Sequence, residues 1–304
     1  MRRLLPGLLV LSAICGLESG CYEDDLFHPH FAQSPTRVFL TDAPFPVDTV
    51  GTVEVYVVEI SASTDPDAAA GWESWTRLAT PRQRFDLMKL QQSTLALVGE
   101  QVLAADVYHS VRVTINTDSS RVIYRDGTEA TVSWPSGEQF SVFAYLPAPI
   151  VIPETGSSIV VDFDIGRSFA TGLGDPLHDF LFTPFVRAVD GARTGSITGT
   201  VLRDPDGDGH PEPVQHARIT VLSDDSSRAN DGSLRVVTGR TDETGYYKVG
   251  FLHPATYTIQ IDAGAADESF GTLMAYDIEV SAGEDFIFSV TLPAGSVAGV
   301  SSWR

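Results

Sequence analysis

Short runs in which apolar and polar residues alternate recur along most of this sequence and limit its possible folds. Residues 50–62 (VGTVEVYVVEISA) and 107–116 (VYHSVRVTIN) are clear examples. A period of two is typical of β-strands with one buried face. Pro, Gly, Asp and Ser separate the runs, and only residues 85–99 are compatible with a short helix. No βαβ rhythm occurs, so the pattern favours all-β sandwiches over a nucleotide-binding α/β fold.

The runs fall into two groups that a short polar junction separates. We predict two tandem β-sandwich domains at residues 36–190 and 195–292, a tether at 21–35 and a flexible tail at 293–304. A chain of 304 residues with 43% hydrophobic content can bury two cores. Both cysteines lie within residues 1–21, so neither disulfide bonds nor cysteine-ligated zinc can stabilise the predicted domains.

Residues 1–20 have the pattern of a cleaved export signal, with two arginines, an apolar stretch and then small residues before Cys21. The apolar stretch is shorter than the roughly 20 residues that a membrane-spanning helix needs. The placement of Cys21 resembles the lipobox of bacterial lipoproteins, although Glu18 stands where that family prefers an aliphatic residue. The resemblance implies lipidation at Cys21 and anchoring in the bacterial cell envelope, at the outer membrane or cell surface. Cleavage without lipidation is the alternative.

The formal net charge of −20 argues against nucleic acid and against electrostatic attachment to anionic lipid, because both favour Lys and Arg patches. It is compatible with cations as ligands, or simply with solubility outside the cell. No H-E-x-x-H, G-x-S-x-G or phosphate-loop motif occurs in the sequence. We therefore predict no catalytic residues and a protein that is not an enzyme.

Asp162 and Asp164 form a pair of acids on one face of a predicted strand, which is the kind of pair that glycoside hydrolysis uses. The favoured interpretation is that they lie on the solvent face, while Val161 and Phe163 fill the core. Aromatic residues that could stack on a sugar are also explained more simply by packing.

The stretch at residues 203–221 (RDPDGDGHPEPVQHARITV) joins two predicted strands and contains alternate aspartates. Carboxylates at this spacing before a glycine are typical of loops that wrap around Ca²⁺. The predicted metal ligands are Asp204, Asp206, Asp208, His210 and Glu212. Gln215 stands where an EF-hand-type loop would have its closing Glu, so we expect weak binding, and a solvated acidic loop is the alternative.

Several segments of the first predicted domain resemble the bacterial lipoprotein domain of unknown function 4382. They include residues 37–44 (RVFLTDAP), 103–112 (LAADVYHSVR), 161–164 (VDFD) and 184–189 (PFVRAV). Ala105-Asp106 departs from the family, which usually has Ala-Gly there. The resemblance implies an exported β-rich domain, commonly lipid-anchored, with no known activity.

The second predicted domain resembles carboxypeptidase regulatory-like and Cna-B-like surface modules, which are prealbumin-like β-sandwiches. A D-x-x-G-x-Y pattern runs from Asp242 to Tyr247, and Pro254 to Tyr257 match a second turn except for Ala255-Thr256. Some adhesin repeats of this kind bind calcium through an acidic loop, and the resemblance implies the same for Asp204, Asp206 and Asp208.

We predict a non-enzymatic, lipid-anchored envelope protein with a binding, adhesion or spacer role, and Ca²⁺ as its candidate structural cofactor. Its expected partners are the membrane, through the anchor, and an envelope glycan or protein. The alternative is an accessory or catalytic component that acts on carbohydrate or peptide. This alternative requires Trp72 or Trp75 to lie near acids such as Asp86 or Asp162.

Overall fold

A computed structural model describes most of the chain after the predicted leader. The described residues are 33–44, 48–66, 75–171, 177–223, 236–263 and 272–292, together with the backbone of 298–300. The predicted signal segment, Cys21, most of the tether and Trp72 lie outside this set. None of the helices within it has the length and apolar character that crossing a bilayer requires.

The first sandwich is built from strands β1 to β14. Their bounds are β1 Gln33–Thr41, β2 Val50–Ser63, β3 Thr76–Ala79, β4 Gln83–Asp86, β5 Ala96–Ala104, β6 Val107–Tyr108, β7 Ser110–Tyr124, β8 Val132–Ser133, β9 Gln139–Ala144, β10 Ile150–Val151, β11 Ser157–Phe163, β12 Phe169–Ala170, β13 Phe180–Phe182 and β14 Val186–Asp190. The helical segments are a 3₁₀ turn at Leu87–Lys89, helix α1 at Ile165–Ser168 and a second 3₁₀ turn at Gly191–Arg193.

Two sheets of this sandwich face each other. One has the order β14-β11-β1-β5, and the other has the order β3-β2-β7-β9 with β4 also paired to β2. In β2, Val53, Val55 and Val57 are fully buried, whereas the residues between them are partly exposed. The same alternation in β1 buries Val38 and Leu40 against them, so residues from both sheets form one hydrophobic core.

The second sandwich has its own core. Its strands are β15 Gly195–Arg203, β16 Glu212–Pro213, β17 Arg218–Ser223, β18 Val236–Arg240, β19 Tyr246–Leu252, β20 Ala255–Asp262, β21 Thr272–Val280, β22 Asp285–Ile287, β23 Val290–Leu292 and β24 Ala298–Val300. One sheet has the order β16-β15-β19, with β22 and β23 paired to β15, and the other has the order β18-β17-β20-β21-β24. Buried residues of both sheets again form a single cluster. The described residues thus form one compact unit with two cores, and the predicted all-β fold of two sandwiches is confirmed.

A tight turn between Asp242 and Tyr247 starts β19. Asp242 Oδ1 accepts hydrogen bonds from the backbone N–H groups of Thr244 and Tyr246. Gly245 has φ +75°, and a Cβ there would collide with the carbonyl oxygen of Val201, so only glycine fits. The turn directs Tyr247 into the second core.

The structure corrects several expectations. The possible helix at residues 85–99 is only the 3₁₀ turn Leu87–Lys89 between two strands. The strand β1 begins at Gln33, inside the predicted tether, because its first residues pair with β5. Pro35 is tolerated there since pairing to β11 on the other side begins only at Thr36. Part of the predicted flexible tail, Ala298–Val300, is strand β24, which pairs with β21.

The strand β7 continues beyond the alternating run at residues 107–116 as far as Tyr124. Its polar middle stays in the sheet because Ser120 Oγ donates to the carbonyl oxygen of Asn116 and accepts from the Tyr56 N–H. The register shifts at the same point in β2, so the polar residues occupy a bulge within a continuous strand.

Candidate functional site

The acidic loop leaves the end of β15 and brings three of the predicted ligands together. Asp204, Asp206 and Asp208 each offer a ligand oxygen, and these atoms all lie within 4.8 Å of one another. Gly207 and Gly209 have φ values of +70° and +80°, which let the loop curl around the carboxylates. Carboxylate oxygens are the type of ligand that hard cations take in short loops.

Backbone amides of the loop orient these carboxylates. The Gly209 N–H donates to Asp204 Oδ2 at 3.1 Å, and the His210 N–H donates to Asp208 Oδ1 at 2.8 Å. Asp204 Oδ1 is shielded from solvent and has no hydrogen-bond partner. Each of these two aspartates therefore has one oxygen engaged by the loop and a second available to another ligand.

The remaining two predicted ligands lie apart from this group of three. Glu212 starts β16, pairs with Arg203 in the sheet register and lies 3.7 Å from its guanidinium group. The side chain of His210 is exposed and does not join the aspartates. The five-residue set therefore separates into three clustered carboxylates and two residues outside the cluster.

The prediction that Asp162 and Asp164 face solvent is wrong. Both are buried, with 4% and 3% of their surface exposed. Asp162 Oδ2 accepts from Arg187 Nε at 2.7 Å, and Asp164 caps helix α1 by accepting from the Arg167 N–H. Val161 and Phe163 do fill the first core, as expected. The face that carries the acids is buried because the second sandwich packs near it.

Arg187 makes this contact between the sandwiches. Its Nη1 and Nη2 atoms donate to the carbonyl oxygens of Phe251 and Gly250, in β19, at 2.9 and 3.0 Å. One buried guanidinium group thus joins an aspartate of the first sandwich to the backbone of the second. We call the contact region around Arg187 the seam.

Burial affects the titration of the acids at the seam. It raises the pKa of Asp164 to about 7, and the nearby charge of Asp162 adds to the effect. Burial also raises the pKa of Asp42, at the end of β1, well above its ordinary value, even though its carboxylate accepts from the Ile165 N–H. These acids favour the protonated form or a compensating positive charge.

Trp75 lies near one end of β2 and Asp86 near the other. Thr76 pairs with Ala62, whereas Asp86 pairs with Glu54, eight residues away on the same strand. At about 3.3 Å per residue, the two positions are about 26 Å apart. Asp86 lies 3.0 Å from Lys89, and Asp162 is engaged at the seam. The structure therefore does not assemble the tryptophan and acids of the proposed catalytic arrangement around Trp75.

Comparison with known proteins identifies the first half of the chain. The family described as domain of unknown function DUF4382 matches residues 33–184, which is half of the sequence. The chain belongs to the DUF4382 family. No curated protein matches the sequence.

Solved structures give weaker similarities to the DUF4382 chain. A protein from Bacteroides uniformis, provisionally named as carbohydrate binding, is 19% identical with TM-score 0.24, over 33% of this chain and 41% of its own. The TIE protein of Bacillus anthracis is 13% identical with TM-score 0.23, over 85% of this chain and 34% of its own. The minor pilin GBS52 of Streptococcus agalactiae is 11% identical with TM-score 0.25, over 85% of this chain and 96% of its own. The chain thus spans less than half the length of the first two structures.

Arg187 and Asp42 are the site residues that motif reasoning missed. Both lie in segments by which the DUF4382 resemblance was recognised, PFVRAV and RVFLTDAP. Asp42 follows the end of β1 at Thr41, whereas Arg187 is a charged residue between apolar residues of a strand, β14, and this is the available signal. Such a residue is usually buried only with a partner.

Proposed function

We propose that this DUF4382 protein is an exported, non-enzymatic protein of the bacterial cell envelope, anchored through a lipid on Cys21. Its two sandwiches act as one stiff unit that holds a binding surface, or a partner protein, at a distance from the membrane. The leader sequence supports export and anchoring. The Arg187 bridge is the observation that carries the stiff-unit role.

Two further contacts support a stiff connection between the sandwiches. Arg167 Nη1 donates to the Val236 carbonyl oxygen at 3.1 Å, and Arg240 Nη1 lies 2.7 Å from Asp48 Oδ1. The connecting segment is only the 3₁₀ turn Gly191–Arg193 and one further residue before β15. Domains of one chain move relative to each other unless their interface is large and hydrophobic. The stiffness proposed here therefore rests on the short connection and on the buried donation from Arg187 to the carbonyl oxygens of β19.

Calcium in the acidic loop is part of the proposal. Asp204, Asp206 and Asp208 would hold the ion, which would neutralise carboxylates that repel one another and thereby stiffen the loop. The fit rests on the three clustered oxygens and on the unpartnered Asp204 Oδ1. Glu212 and His210 would not contribute from their positions in the structure.

Sugar binding at Trp75 is a second candidate function, in line with an accessory role on carbohydrate. Arg112 lies over the Trp75 ring at 4.4 Å, and the Phe143 ring centroid is 5.9 Å away. Phe143 is 50% exposed, so the pair presents an aromatic surface to solvent. Exposed aromatic rings of this kind bind sugar rings by stacking, and among the described residues neither Asp86 nor Asp162 lies beside them.

The anchor is tested by metabolic labelling with a clickable fatty acid in a bacterial host. The full-length chain should be labelled and remain with membranes, and Cys21→Ser should abolish both. Cys15→Ser is the matched control and should leave them unchanged. Unlabelled wild-type protein in the soluble fraction would refute the anchor and leave the stiff-unit role open.

The stiff-unit role is tested by small-angle X-ray scattering. Wild-type protein should give a narrow distribution of interatomic distances with a well-defined maximum dimension. Arg187→Ala should broaden that distribution. Identical broad distributions for both proteins would refute the role.

The calcium loop and the sugar-binding candidate have their own tests. Isothermal titration with Ca²⁺ should detect a site that the triple variant D204N/D206N/D208N lacks. Binding of wild-type protein and of Trp75→Ala to a panel of envelope glycans tests sugar binding.

A further inference from the structure

A small cavity lies within the seam. Its walls come from both sandwiches, with Asp42, Ser93, Asp162 and Arg187 on one side and residues of β19 on the other. The space is sufficient for about one water-sized particle, so it excludes an organic ligand.

Three oxygen atoms of the residues that line this cavity lack partners. Asp42 Oδ2, Ser93 Oγ and Asp162 Oδ1 are shielded from solvent and make no hydrogen bond. Asp42 and Asp162 are each 96% buried. Their other oxygens are fixed, because Asp42 Oδ1 accepts from the Ile165 N–H at 3.0 Å and Asp162 Oδ2 accepts from Arg187 Nε. Buried oxygens of this kind are costly unless another group meets them.

The charges around the cavity do not balance when all its acids are ionised. The carboxylates of Asp42, Asp162 and Asp164 then exceed the guanidinium groups of Arg187 and Arg167 by one negative charge, which either a proton or a bound cation would neutralise. Lys248 also lines the cavity, but its Nζ lies 3.2 Å from both carboxylate oxygens of Asp285. A water molecule would meet the unpartnered oxygens without supplying the missing positive charge.

The backbone around the cavity is held in a strained form. Among the described residues, six non-glycine residues have positive φ, and three of them line this cavity: Gln92 at +54°, Ser93 at +65° and Phe251 at +55°. Strain of this kind persists where the surrounding structure requires it, and it is common at ligand sites. Here it includes Ser93, whose Oγ lies where a Cβ on Gly250 would collide with it.

We propose that the seam cavity is a binding site for one hard cation, held by Asp42 Oδ2, Asp162 Oδ1 and Ser93 Oγ. Oxygen atoms are the ligands that Ca²⁺ and Na⁺ prefer, whereas Mg²⁺ gives up its water shell reluctantly. The cation supplies the missing charge and joins three segments of the first sandwich beside β19. The site is separate from the acidic loop and does not depend on the calcium proposed there.

The test uses the full-length chain with the loop substitutions D204N/D206N/D208N, so that only the seam can respond. Titration calorimetry and melting temperature are measured with Ca²⁺, Mg²⁺ and Na⁺ in turn at pH 8. We expect one bound Ca²⁺ or Na⁺ per chain, a higher melting temperature and weaker binding at pH 5, where protons compete. Mg²⁺ should bind worst.

Two seam variants in the same background identify the ligands. Asp42→Asn keeps an acceptor for the Ile165 N–H but removes the charge, and it should abolish binding. Ser93→Ala should weaken binding by at least about tenfold, the smaller loss seen on changing groups around a metal site. Thr114→Ala, on the partly exposed face of β7, is the control and should bind like its parent.

Three results would overturn the seam site. They are no response to any of the three cations, a response that Asp42→Asn leaves intact, or loss of all binding with the loop substitutions alone. The last result would leave the calcium loop standing, so failures of the two proposals are distinguishable.

Discussion

Arg187 Nε lies 2.7 Å from Asp162 Oδ2, and the two side chains are only 8% and 5% exposed. The remaining donors of the guanidinium group point away from the first sandwich to the carbonyl oxygens of Gly250 and Phe251. Desolvation offsets much of the attraction within a buried ion pair, so we infer that this pair fixes the arrangement of its surroundings more than it adds stability. In this chain the arrangement specified is the contact between two sandwiches.

Arg187→Ala should lower the free energy of unfolding by about 3–5 kcal/mol, because it leaves the charge of Asp162 buried without its partner. Urea denaturation in the presence of a chelator measures the change. Arg37→Ala is the matched control, since Arg37 pairs with Glu100 where both are more than 60% exposed. That variant should lose at most about 1 kcal/mol. Equal losses in the two variants would contradict the role given to Arg187.

The stability of the protein should fall as the pH rises from about 4 to about 7. The pKa of Asp164 is raised from 3.8 to about 7, so in this range the folded chain holds a proton that the unfolded chain has released. The raised pKa of Asp42 acts in the same direction. Each unit of pKa difference corresponds to about 1.4 kcal/mol. Melting temperatures at pH 5 and pH 8, with chelator present, measure the effect.

Asp164→Asn provides the control for this pH dependence. Asparagine does not titrate, and it can still accept from the Arg167 N–H as a helix cap. The variant should therefore show a flatter pH profile between pH 5 and pH 8. The interpretation fails if the wild-type protein is equally stable at both values, or if the variant keeps the full dependence.

Alternation of apolar and polar residues was sufficient to predict most strands and the division into two sandwiches. It succeeded because Val53, Val55 and Val57 follow a strict period of two, and such a period has one structural explanation. The loop aspartates could be grouped for a similar reason, since residues two apart in a tight loop remain close together.

The seam could not be predicted in the same way. A polar residue on a strand indicates only that its side chain points away from the core of its own sandwich. Either solvent or a second domain can cover that side of the strand. The sequence pattern therefore predicts, wrongly, that Asp162 faces solvent. Its partner Arg187 is 25 residues away and adjacent only through the β11–β14 register, while the carbonyl groups of β19 carry no sequence signal at all.

Gly250→Ala should destabilise the contact between the sandwiches. A Cβ at residue 250 would collide with the side chain of Ser93 across the seam. Overpacking of this kind costs about 1–3 kcal/mol, measurable by urea denaturation with chelator present. Ser93→Gly should rescue the variant, because it removes the colliding atoms and glycine accepts the φ of +65° at that position. Failure of the rescue would show that Ser93 is not what residue 250 meets.

Tyr247→Phe should cost about 1 kcal/mol of unfolding free energy, more than the same change at the adjacent Tyr246. The Tyr247 side chain is fully buried, and its hydroxyl donates to the Phe288 carbonyl oxygen at 2.8 Å, which links β19 to the segment between β22 and β23. Removing a buried donor costs the hydrogen bond and leaves an acceptor less well satisfied.

Tyr246 is the matched control for this prediction. Its side chain is 38% exposed, and its hydroxyl accepts from Thr198 Oγ1 at the surface, where a water molecule can replace the hydroxyl. Parallel urea titrations of the two variants compare them directly. A larger loss for Tyr246→Phe would mean that the D-x-x-G-x-Y turn does not stabilise the second core through Tyr247.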